Sequence, residues 1–438
     1  MSFIAQRGSL SAVGFGRTLE PPQFPLMVSA TRNGNGTLAN TMVQDTDGSM
    51  YVGGRVSTPT QYPTLSKFNV NGGLVWSVRY SAGSTNSVMS LAIDSTYIYA
   101  YVNSAIVYRF NKSNGSNVGA WQPVDGIVDK VISLSDGVYA WGGNSLQLIP
   151  SSMTGTATRY YSSTMAYGKI PYLGADLCIC SVASIATAVS NFLILQRFNT
   201  VTKQALSSYR VGFGALGASD GYNRGQGITD SSGNIYFATY QMGPSTYDLI
   251  LSKFNTSTLT ISWSKTYTVS GSVLKVYPFG GSSGLNISFA INDIGQFFLG
   301  CVDSQRAALL QINTNDGSVI WNRTITSTST VSNGAINLQP SGKTIGFSVG
   351  GSSYGNTAID FLCARFLIGQ TSSAVYSLNT YDYTISAPTV TVTNYTQMEY
   401  NLTSTNTTTT TASGASATDI AVTSNGFYFG PYTASIAP

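Results

Sequence analysis

The chain of 438 residues repeats one pattern of short strands along most of its length. The clearest copy spans 42–80, where two apolar runs flank the turn DTDG at 45–48 and two more flank the turn NGG at 71–73. Asp-Gly and Asn-Gly pairs between alternating apolar runs are the strongest short-range signal for a β-hairpin. Four strands and three turns in about forty residues therefore predict an antiparallel sheet as the repeated unit.

Six further copies follow the first. They occupy about 87–125, 128–164, 166–213, 224–270, 284–328 and 333–386, the last one ending in a predicted fourth strand at 374–386. The segment 25–36 matches the final strand of the unit, and 416–433 matches its first hairpin. Repeated four-stranded sheets are typical of a β-propeller, and such rings are commonly closed by strands from both termini. We therefore predict an all-β propeller of eight blades, with seven as the alternative, closed by the N-terminal strand and the C-terminal hairpin.

Two segments depart from the repeat. Residues 1–23 are apolar and irregular, which predicts an extended arm that anchors the propeller (24–438) to a partner subunit, with packing on its own domain as the alternative. The predicted contact residues are Phe3, Ile4, Leu10, Val13 and Phe15. Residues 387–414 are rich in Thr and Asn, and we interpret them as an insertion or long hairpin that is a second candidate contact.

A motif in the third strand sets the register of the copies. It places a basic residue before a Phe and, in most copies, an Asn, and the basic residues are Lys67, Arg109, Arg197, Lys253 and Arg365. Strand alternation turns them away from the Phe side chains, which we expect between sheets. The Asn is suited to begin the following turn. The basic residues could form an anion-binding ring, but solvated side chains with stems over apolar surface are the favoured interpretation.

Composition restricts the chemistry available to the chain. Only 9% of residues are charged, and His is absent. The formal charge of +4 is not concentrated in a run of basic residues. Nucleic-acid and anionic-membrane binding therefore find no support, and a Ser-His-Asp nucleophile system cannot be built. No run approaches the ~20 apolar residues that span a bilayer. The N-terminus lacks the pattern of a signal peptide, so we expect no export.

Cofactor and metal sites are not expected. The acids in the first-to-second-strand turns are explained by hydrogen bonds to the backbone, although the turn at 45–48 could hold a weak Ca²⁺. Those acids are Asp45, Asp47, Asp136, Asp230 and Asp293. Cys178 and Cys180 share a strand face, and buried thiols are favoured over half of a metal or disulfide site. Trp76, Trp263 and Trp321 share one position in the fourth strand and are predicted to be core residues.

The units read D-x-x-G-x-x-Y-V-G-G … L-x-K-F-N-x-x-G-x-x-x-W and resemble NHL-type, quinoprotein-like and related bacterial β-propeller repeats over 25–386 and 416–433. This resemblance implies a fold and no activity. The whole chain, with its uncharged polar composition and apolar arm, resembles bacteriophage virion components, whose tail proteins include such propellers. That implies a structural or adhesive part of a virion tail, made in the host cytoplasm and not an enzyme, which assembles with other tail proteins and can contact a host-surface glycan. The alternatives are an extracellular carbohydrate-binding propeller and, since two carboxylates suffice for glycoside cleavage, a propeller hydrolase.

Overall fold

The computed structural model consists of β-strands, and the part of the chain it describes contains no helix. The described residues are 26–30, 37–56, 62–70, 73–80, 87–102, 106–123, 128, 130–142, 145–154, 156–162, 172–173, 176–184, 191–202, 205–212, 226–242, 247–258, 260–275, 287–302, 306–327, 336–341, 344–350, 361–369, 373–378, 381–394, 407–413, 415–416 and 422–423.

Strand β1 (Leu26–Ala30) precedes six sheets of consecutive antiparallel strands. Sheet 1 contains β2 (Thr37–Gln44), β3 (Met50–Val56), β4 (Tyr62–Phe68) and β5 (Leu74–Tyr80). Sheet 2 contains β6 (Val88–Ile93), β7 (Tyr97–Val102), β8 (Ile106–Asn111) and β9 (Asn117–Gln122). Sheet 3 contains β10 (Lys130–Leu134), β11 (Gly137–Gly142), β12 (Ser145–Leu148) and β13 (Thr156–Ser162).

Sheets 4 to 6 continue the same order. Sheet 4 contains β14 (Tyr172–Leu173), β15 (Leu177–Ser184), β16 (Asn191–Phe198) and β17 (Ala205–Gly212). Sheet 5 contains β18 (Gln226–Thr229), β19 (Ile235–Met242), β20 (Tyr247–Asn255), β21 (Thr260–Val269) and the short β22 (Ser272–Val273). Sheet 6 contains β23 (Ile287–Ile291), β24 (Phe297–Val302), β25 (Arg306–Ile312) and β26 (Val319–Ser327).

Sheet 7 combines strands from distant parts of the chain. It contains β27 (Ile336–Ser341), β28 (Thr344–Gly350) and β29 (Phe361–Leu367), and β1 is its fourth strand. The pairing is antiparallel and places Val28 opposite Cys363. An outer strand is held mainly through its backbone, so several apolar segments could fill this edge. The prediction that 374–386 supplies the last strand of the seventh copy is therefore corrected. The second strand of the predicted C-terminal hairpin lies outside the described residues.

The C-terminal part of the chain pairs with the outer strands of earlier sheets. After β30 (Ala374–Leu378), the strands are β31 (Tyr381–Ser386), β32 (Val390–Asn394), β33 (Thr407–Ser413), β34 (Ala415–Ser416) and β35 (Val422–Thr423). Strand β31 pairs with β26 of sheet 6, and β32 pairs with β21 of sheet 5. Strands β33, β34 and β35 pair with β13 of sheet 3, β9 of sheet 2 and β5 of sheet 1. We call residues 381–423 the edge segment. The described strands within 387–414 therefore pair with two different sheets and not with each other.

Neighbouring sheets pack through their first strands and share hydrophobic clusters. Strand β6 contacts β2 and β10, β18 contacts β15 and β23, and β27 contacts both β23 and β2. One cluster joins sheets 3 and 4 through Trp141 and Phe198, and another joins sheets 5 and 6 through Tyr236 and Phe297. The third-strand Phe side chains are buried, as predicted.

Uncharged polar side chains on first strands bond directly to the backbone of the neighbouring unit. The pairs are Asn40 Nδ2 to the carbonyl of Val88 at 2.9 Å, the amide of Val131 to Ser90 Oγ at 3.1 Å, Thr229 Oγ1 to the carbonyl of Asp176 at 2.9 Å, and the amide of Leu338 to Ser288 Oγ at 3.2 Å. Hydroxyl and amide groups can be buried at modest cost when they are hydrogen-bonded, unlike isolated charges. The low charge of the chain therefore matches the way its sheets are joined.

Candidate docking face

In sheets 1 to 6, the turn between the first and second strands lies at the same end of the sheet as the turn between the third and fourth strands, because successive strands alternate in direction. We call this end of the sheets the turn face. It contains the predicted turn acids and lies next to the predicted basic residues.

The two predicted lysines donate hydrogen bonds to the backbone of the following sheet. Lys67 Nζ lies 3.3 Å from the carbonyl oxygen of Lys112, and Lys253 Nζ lies 2.9 Å from that of Thr314. Each ammonium also lies over a tyrosine ring, a favourable cation–π arrangement. The distances to the ring centroids are 5.3 Å for Tyr51 and 5.5 Å for Tyr236. These lysines therefore join one sheet to the next, a role that neither sequence hypothesis anticipated.

The predicted arginines are also bonded within the protein. Arg109 donates to the carbonyl of Ser151 in sheet 3 and lies 4.6 Å from the ring centroid of Tyr97. Arg197 Nε donates to Asp176 Oδ2 at 3.1 Å. The side chain of Arg365 lies outside the described residues. The four described basic groups are thus directed at carbonyls, a carboxylate and aromatic rings of the chain, which differs from an anion-binding ring.

Tryptophan and glycine complete the contact between sheets. Trp76 Nε1 donates to the same Lys112 carbonyl at 3.2 Å, and Trp263 Nε1 donates to that of Thr314 at 3.3 Å. Each accepting turn contains a glycine with positive φ, 70° at Gly115 and 74° at Gly317. A Cβ on Gly317 would lie 2.9 Å from Trp263 Cε3, and one on Gly115 would lie 2.8 Å from Trp76 Cε3. The shared tryptophan position therefore packs one sheet against the next turn, consistent with the predicted core role.

Three of the predicted turn acids, Asp45, Asp47 and Asp230, accept backbone amides as predicted, and turn aspartates also accept tyrosine hydroxyls. Asp230 Oδ1 accepts the amides of Ser232 and Asn234 at 2.9 Å each, and its Oδ2 accepts the Tyr236 hydroxyl at 2.9 Å. The same pairing recurs at 2.9 Å for Tyr99 with Asp94 and for Tyr139 with Asp136. Burial, and then the neighbouring carboxylate, raises the pKa of Tyr99 to about 12, so its hydroxyl remains a donor at neutral pH.

One ion pair crosses between sheets 1 and 2. Lys112 Nζ lies 2.8 Å from Asp45 Oδ2, and both side chains are largely buried. Burial opposes ionisation of Asp45, but Lys112 and the amide of Thr46 together hold the pKa of its carboxyl below the usual value. Among the described residues, no group of three or more His, Cys, Asp or Glu side chains could hold a metal ion.

A β-bulge recurs at the start of the fourth strand and exposes one residue. In sheet 1, Lys67 pairs with Trp76 and Phe68 pairs with Leu74, which leaves Val75 unpaired in the register. The equivalent residues in sheets 2 and 6 are Val118 and Ile320. The exposed fractions are 49% for Val75, 40% for Val118 and 61% for Ile320. A bulge redirects a side chain that strand alternation would otherwise bury, so these aliphatic residues reach solvent.

Four further aliphatic side chains are exposed on the same face. They are Val70, Leu74, Val201 and Ile294, at 42%, 41%, 76% and 72%. With the three bulge residues they form the aliphatic set: Val70, Leu74, Val75, Val118, Val201, Ile294 and Ile320. Within the described part of the chain, these are the large hydrophobic side chains that are clearly exposed, and all of them lie on the turn face. Because exposed apolar side chains can be buried by a partner, their shared location makes the turn face the candidate docking face.

Sequence reasoning missed this set, since it placed partner contacts at Phe3, Ile4, Leu10, Val13 and Phe15. Those residues, and the whole arm 1–23, lie outside the described residues. The available signal was a β-branched residue directly before Trp76 and Trp321, where a regular strand would place a polar one.

Two other predictions concern cysteines and membrane spans. Cys178 is buried, as predicted, and Cys301 is buried as well, while the side chains of Cys180 and Cys363 lie outside the described residues. Among the residues that the structure describes, no helix has the length and apolar character needed to cross a membrane.

Comparisons with known proteins yield a likeness of fold. Neither a family model nor a curated protein matches the sequence. Similar solved structures include BamB from Moraxella catarrhalis (11% identity, 78% of this chain and 92% of that chain, TM-score 0.38). The WD40 β-propeller domain of Doa1 is 9% identical over 78% and 96% of the two chains, with a TM-score of 0.44. Quinohemoprotein alcohol dehydrogenase from Comamonas testosteroni is 9% identical over 79% and 76%, with a TM-score of 0.43. At these identities the likeness carries no activity over to this chain.

Proposed function

We propose that the seven sheets are the blades of a closed seven-bladed β-propeller. The support is the order of contacts between sheets. First strands contact one another from sheet 1 to sheet 3 and from sheet 4 to sheet 7, a shared hydrophobic cluster joins sheets 3 and 4, and the order returns to the start because β27 and β28 contact β2. Strand β1 completes the seventh sheet from the N-terminal side, the arrangement that removes a free edge at the junction. The C-terminal strands then belong to the outside of the ring and form no blade of their own.

We further propose that this ring is a structural or adhesive component of a bacteriophage virion tail. Its mechanism is geometric: a rigid disc presents one face to a neighbouring tail protein. Rigidity follows from the contacts that sheets 1, 2 and 5 make with a turn of the next sheet, such as those of Lys253 and Trp263 with Thr314. In this role the chain needs no catalytic group and no cofactor.

The observation that carries the proposal is the location of the aliphatic set on the turn face. Burying a Val or Ile side chain completely stabilises an interface by about 1.5–3 kcal/mol. Residues that start half-exposed, such as Val75 and Ile320, would each contribute about half of that. Such contributions add up across the aliphatic set, and they would hold a neighbour that the assembly already keeps close.

Mass spectrometry of purified phage particles tests the assignment. We expect peptides of this chain in the particles at a fixed ratio to other tail proteins, and their absence would refute the virion role. Ile320→Asp should then lower incorporation into particles, whereas Ser262→Asp should not. Ser262 is the exposed bulge residue of sheet 5, so this control adds the same charge at an equivalent position that is already polar. Equal incorporation of both variants would refute the aliphatic docking face.

A further inference from the structure

Among the side chains that the structure describes, the exposed charged ones are all aspartates, and all of them lie on the turn face. Asp47 follows β2, Asp136 follows β10, Asp293 follows β23 and Asp316 follows β25. The whole chain has a formal charge of +4. The charge that these described residues place on the turn face is therefore opposite in sign to that of the chain, and such an uneven distribution affects which partners a surface attracts.

The described basic side chains near this face are used inside the protein. Lys67, Arg109 and Lys253 donate to backbone carbonyls of the next sheet. Lys112 is paired with Asp45 between sheets 1 and 2. None of these four basic side chains is exposed. Because the contacts between sheets take up the cations, carboxylates predominate at the described surface of the turn face.

Sheet 6 places carboxylates directly beside members of the aliphatic set. Asp293 and Ile294 are consecutive in the turn between β23 and β24, and Asp316 precedes Ile320 by four residues at the turn between β25 and β26. Asp316 Oδ1 accepts the amide of Ser318 at 2.9 Å and its hydroxyl at 2.7 Å. These bonds, that of the amide first, hold the pKa of Asp316 below its ordinary value, so the group is negatively charged at neutral pH.

Sheet 1 presents the same combination of side chains. Asp47 is exposed in its first turn, and three aliphatic residues are exposed around its last turn. Sheet 7 lies between sheets 6 and 1, since β27 contacts both β23 and β2. We call the exposed groups of sheets 6 and 1 together the acidic–aliphatic patch: Asp47, Val70, Leu74, Val75, Asp293, Ile294, Asp316 and Ile320.

We propose that the acidic–aliphatic patch binds a protein surface that carries lysine or arginine beside aliphatic side chains. The proposal rests on the docking face proposed above and adds the chemistry of its partner. Burial of aliphatic groups stabilises an interface without selecting for charge. Opposite charges speed the encounter and disfavour partners of the wrong sign. The patch therefore disfavours an acidic glycan, and it disfavours a second copy of the chain docked through the same patch.

Two labelled peptides of one design test the proposal in solution. One consists of four repeats of Lys-Leu-Ser and the other of four repeats of Glu-Leu-Ser, so they differ mainly in the sign of their charge. Fluorescence anisotropy at low ionic strength should show binding of the lysine peptide and at least about tenfold weaker binding of the glutamate peptide. Added salt should weaken the first interaction, because it screens exposed charges. Equal affinities, or no binding of the lysine peptide, would overturn the proposal.

Substitutions that nearly preserve side-chain shape locate the binding surface. Asp293→Asn and Asp316→Asn should each lower the affinity for the lysine peptide about twofold or more, as expected for exposed ion pairs. Ile320→Ser should lower it as well, because it removes aliphatic area without a change of charge. Asp136→Asn is the matched control, since it removes the same charge from a turn of sheet 3, which holds no member of the aliphatic set. An equal loss in this control would assign the binding to overall charge and overturn the proposal.

The same variants in phage particles separate this inference from the virion role. The double variant Asp293→Asn/Asp316→Asn should be incorporated less than Asp136→Asn. Equal incorporation of the two would overturn the inference and leave the virion role standing. Absence of the chain from particles, together with selective binding of the lysine peptide at the patch, would remove the virion role and support the inference.

Discussion

Replacing Gly317 with alanine measures how strongly sheet 5 holds the turn of sheet 6. The residue has a φ of 74°, and a left-handed conformation costs a non-glycine residue about 1–2 kcal/mol. Its new Cβ would lie 2.8 Å from Lys265 Cγ and 2.9 Å from Trp263 Cε3, closer than packed carbons approach. Relieving such overpacking costs about 1–3 kcal/mol. The expected loss in the free energy of unfolding is therefore about 2–5 kcal/mol.

Gly295 provides the matched control in the same sheet. Its φ is 80°, and a Cβ there would meet nothing within 4 Å, so Gly295→Ala carries the backbone cost alone. The difference between the two variants, about 1–3 kcal/mol, isolates the contact between sheets. Urea unfolding followed by tryptophan fluorescence measures it as a difference in midpoint. Gly115→Ala should match Gly317→Ala, because its Cβ would meet Trp76. A Gly317→Ala midpoint equal to that of Gly295→Ala would show that the contact with Trp263 contributes nothing to stability.

Three further predictions concern buried charges. Arg323 is 1% exposed and both terminal guanidinium nitrogens lack a hydrogen-bond partner, so Arg323→Met should stabilise the fold by about 1–4 kcal/mol, and a lower urea midpoint would contradict this. Burial lowers the pKa of Lys130 to about 8, below its unfolded value, so stability should rise between pH 8 and 10 in the native chain. Thermal melts of Lys130→Met should lack that rise. The pKa of Asp45 is held below its unfolded value, so its contribution is present above pH about 4 and lost below it. Asp45→Asn should flatten the acid limb of the stability profile, and an unchanged limb would show that the pair with Lys112 contributes nothing.

Local patterns were sufficient to predict the strands and turns of sheets 1 to 6. The alternation of apolar residues, the Asn after the third strand and the Asp in the first turn each act within a few residues. The structure shows why they work: the amide of Ser113 donates to Asn111 Oδ1, and the amide of Ser257 donates to Asn255 Oδ1. These hydrogen bonds join residues that are two positions apart, so the local sequence is enough to predict them.

Pairings between distant segments could not be predicted in the same way. The segments 26–30 and 374–378 both alternate as outer strands do, and nothing local decides which one joins β29. Strand β33 is a run of Thr residues without alternation of apolar and polar positions. Its sequence therefore does not indicate that it pairs with the edge of β13. An outer strand is bound largely through its backbone groups, which are the same in every sequence, so the side chains do not identify its partner.

The exposure of the aliphatic set on the turn face escaped prediction for a different reason. At the bulge after Lys67, two residues of one strand lie opposite one residue of the other. Val75 therefore does not follow the alternation of buried and exposed positions from which burial is predicted. The lysine contacts were also hidden, since Lys67 reaches a carbonyl 45 residues away in the next sheet. Both features depend on how sheets meet, which a single unit does not reveal.

Electron cryomicroscopy of the purified protein tests the closed seven-sheet ring. We expect seven sheets around one axis, with β1 completing the seventh and the edge segment lying along the outer strands from sheet 6 to sheet 1. Eight sheets, an open arc, or a C-terminal hairpin paired with residues 26–30 as part of a separate blade would contradict it.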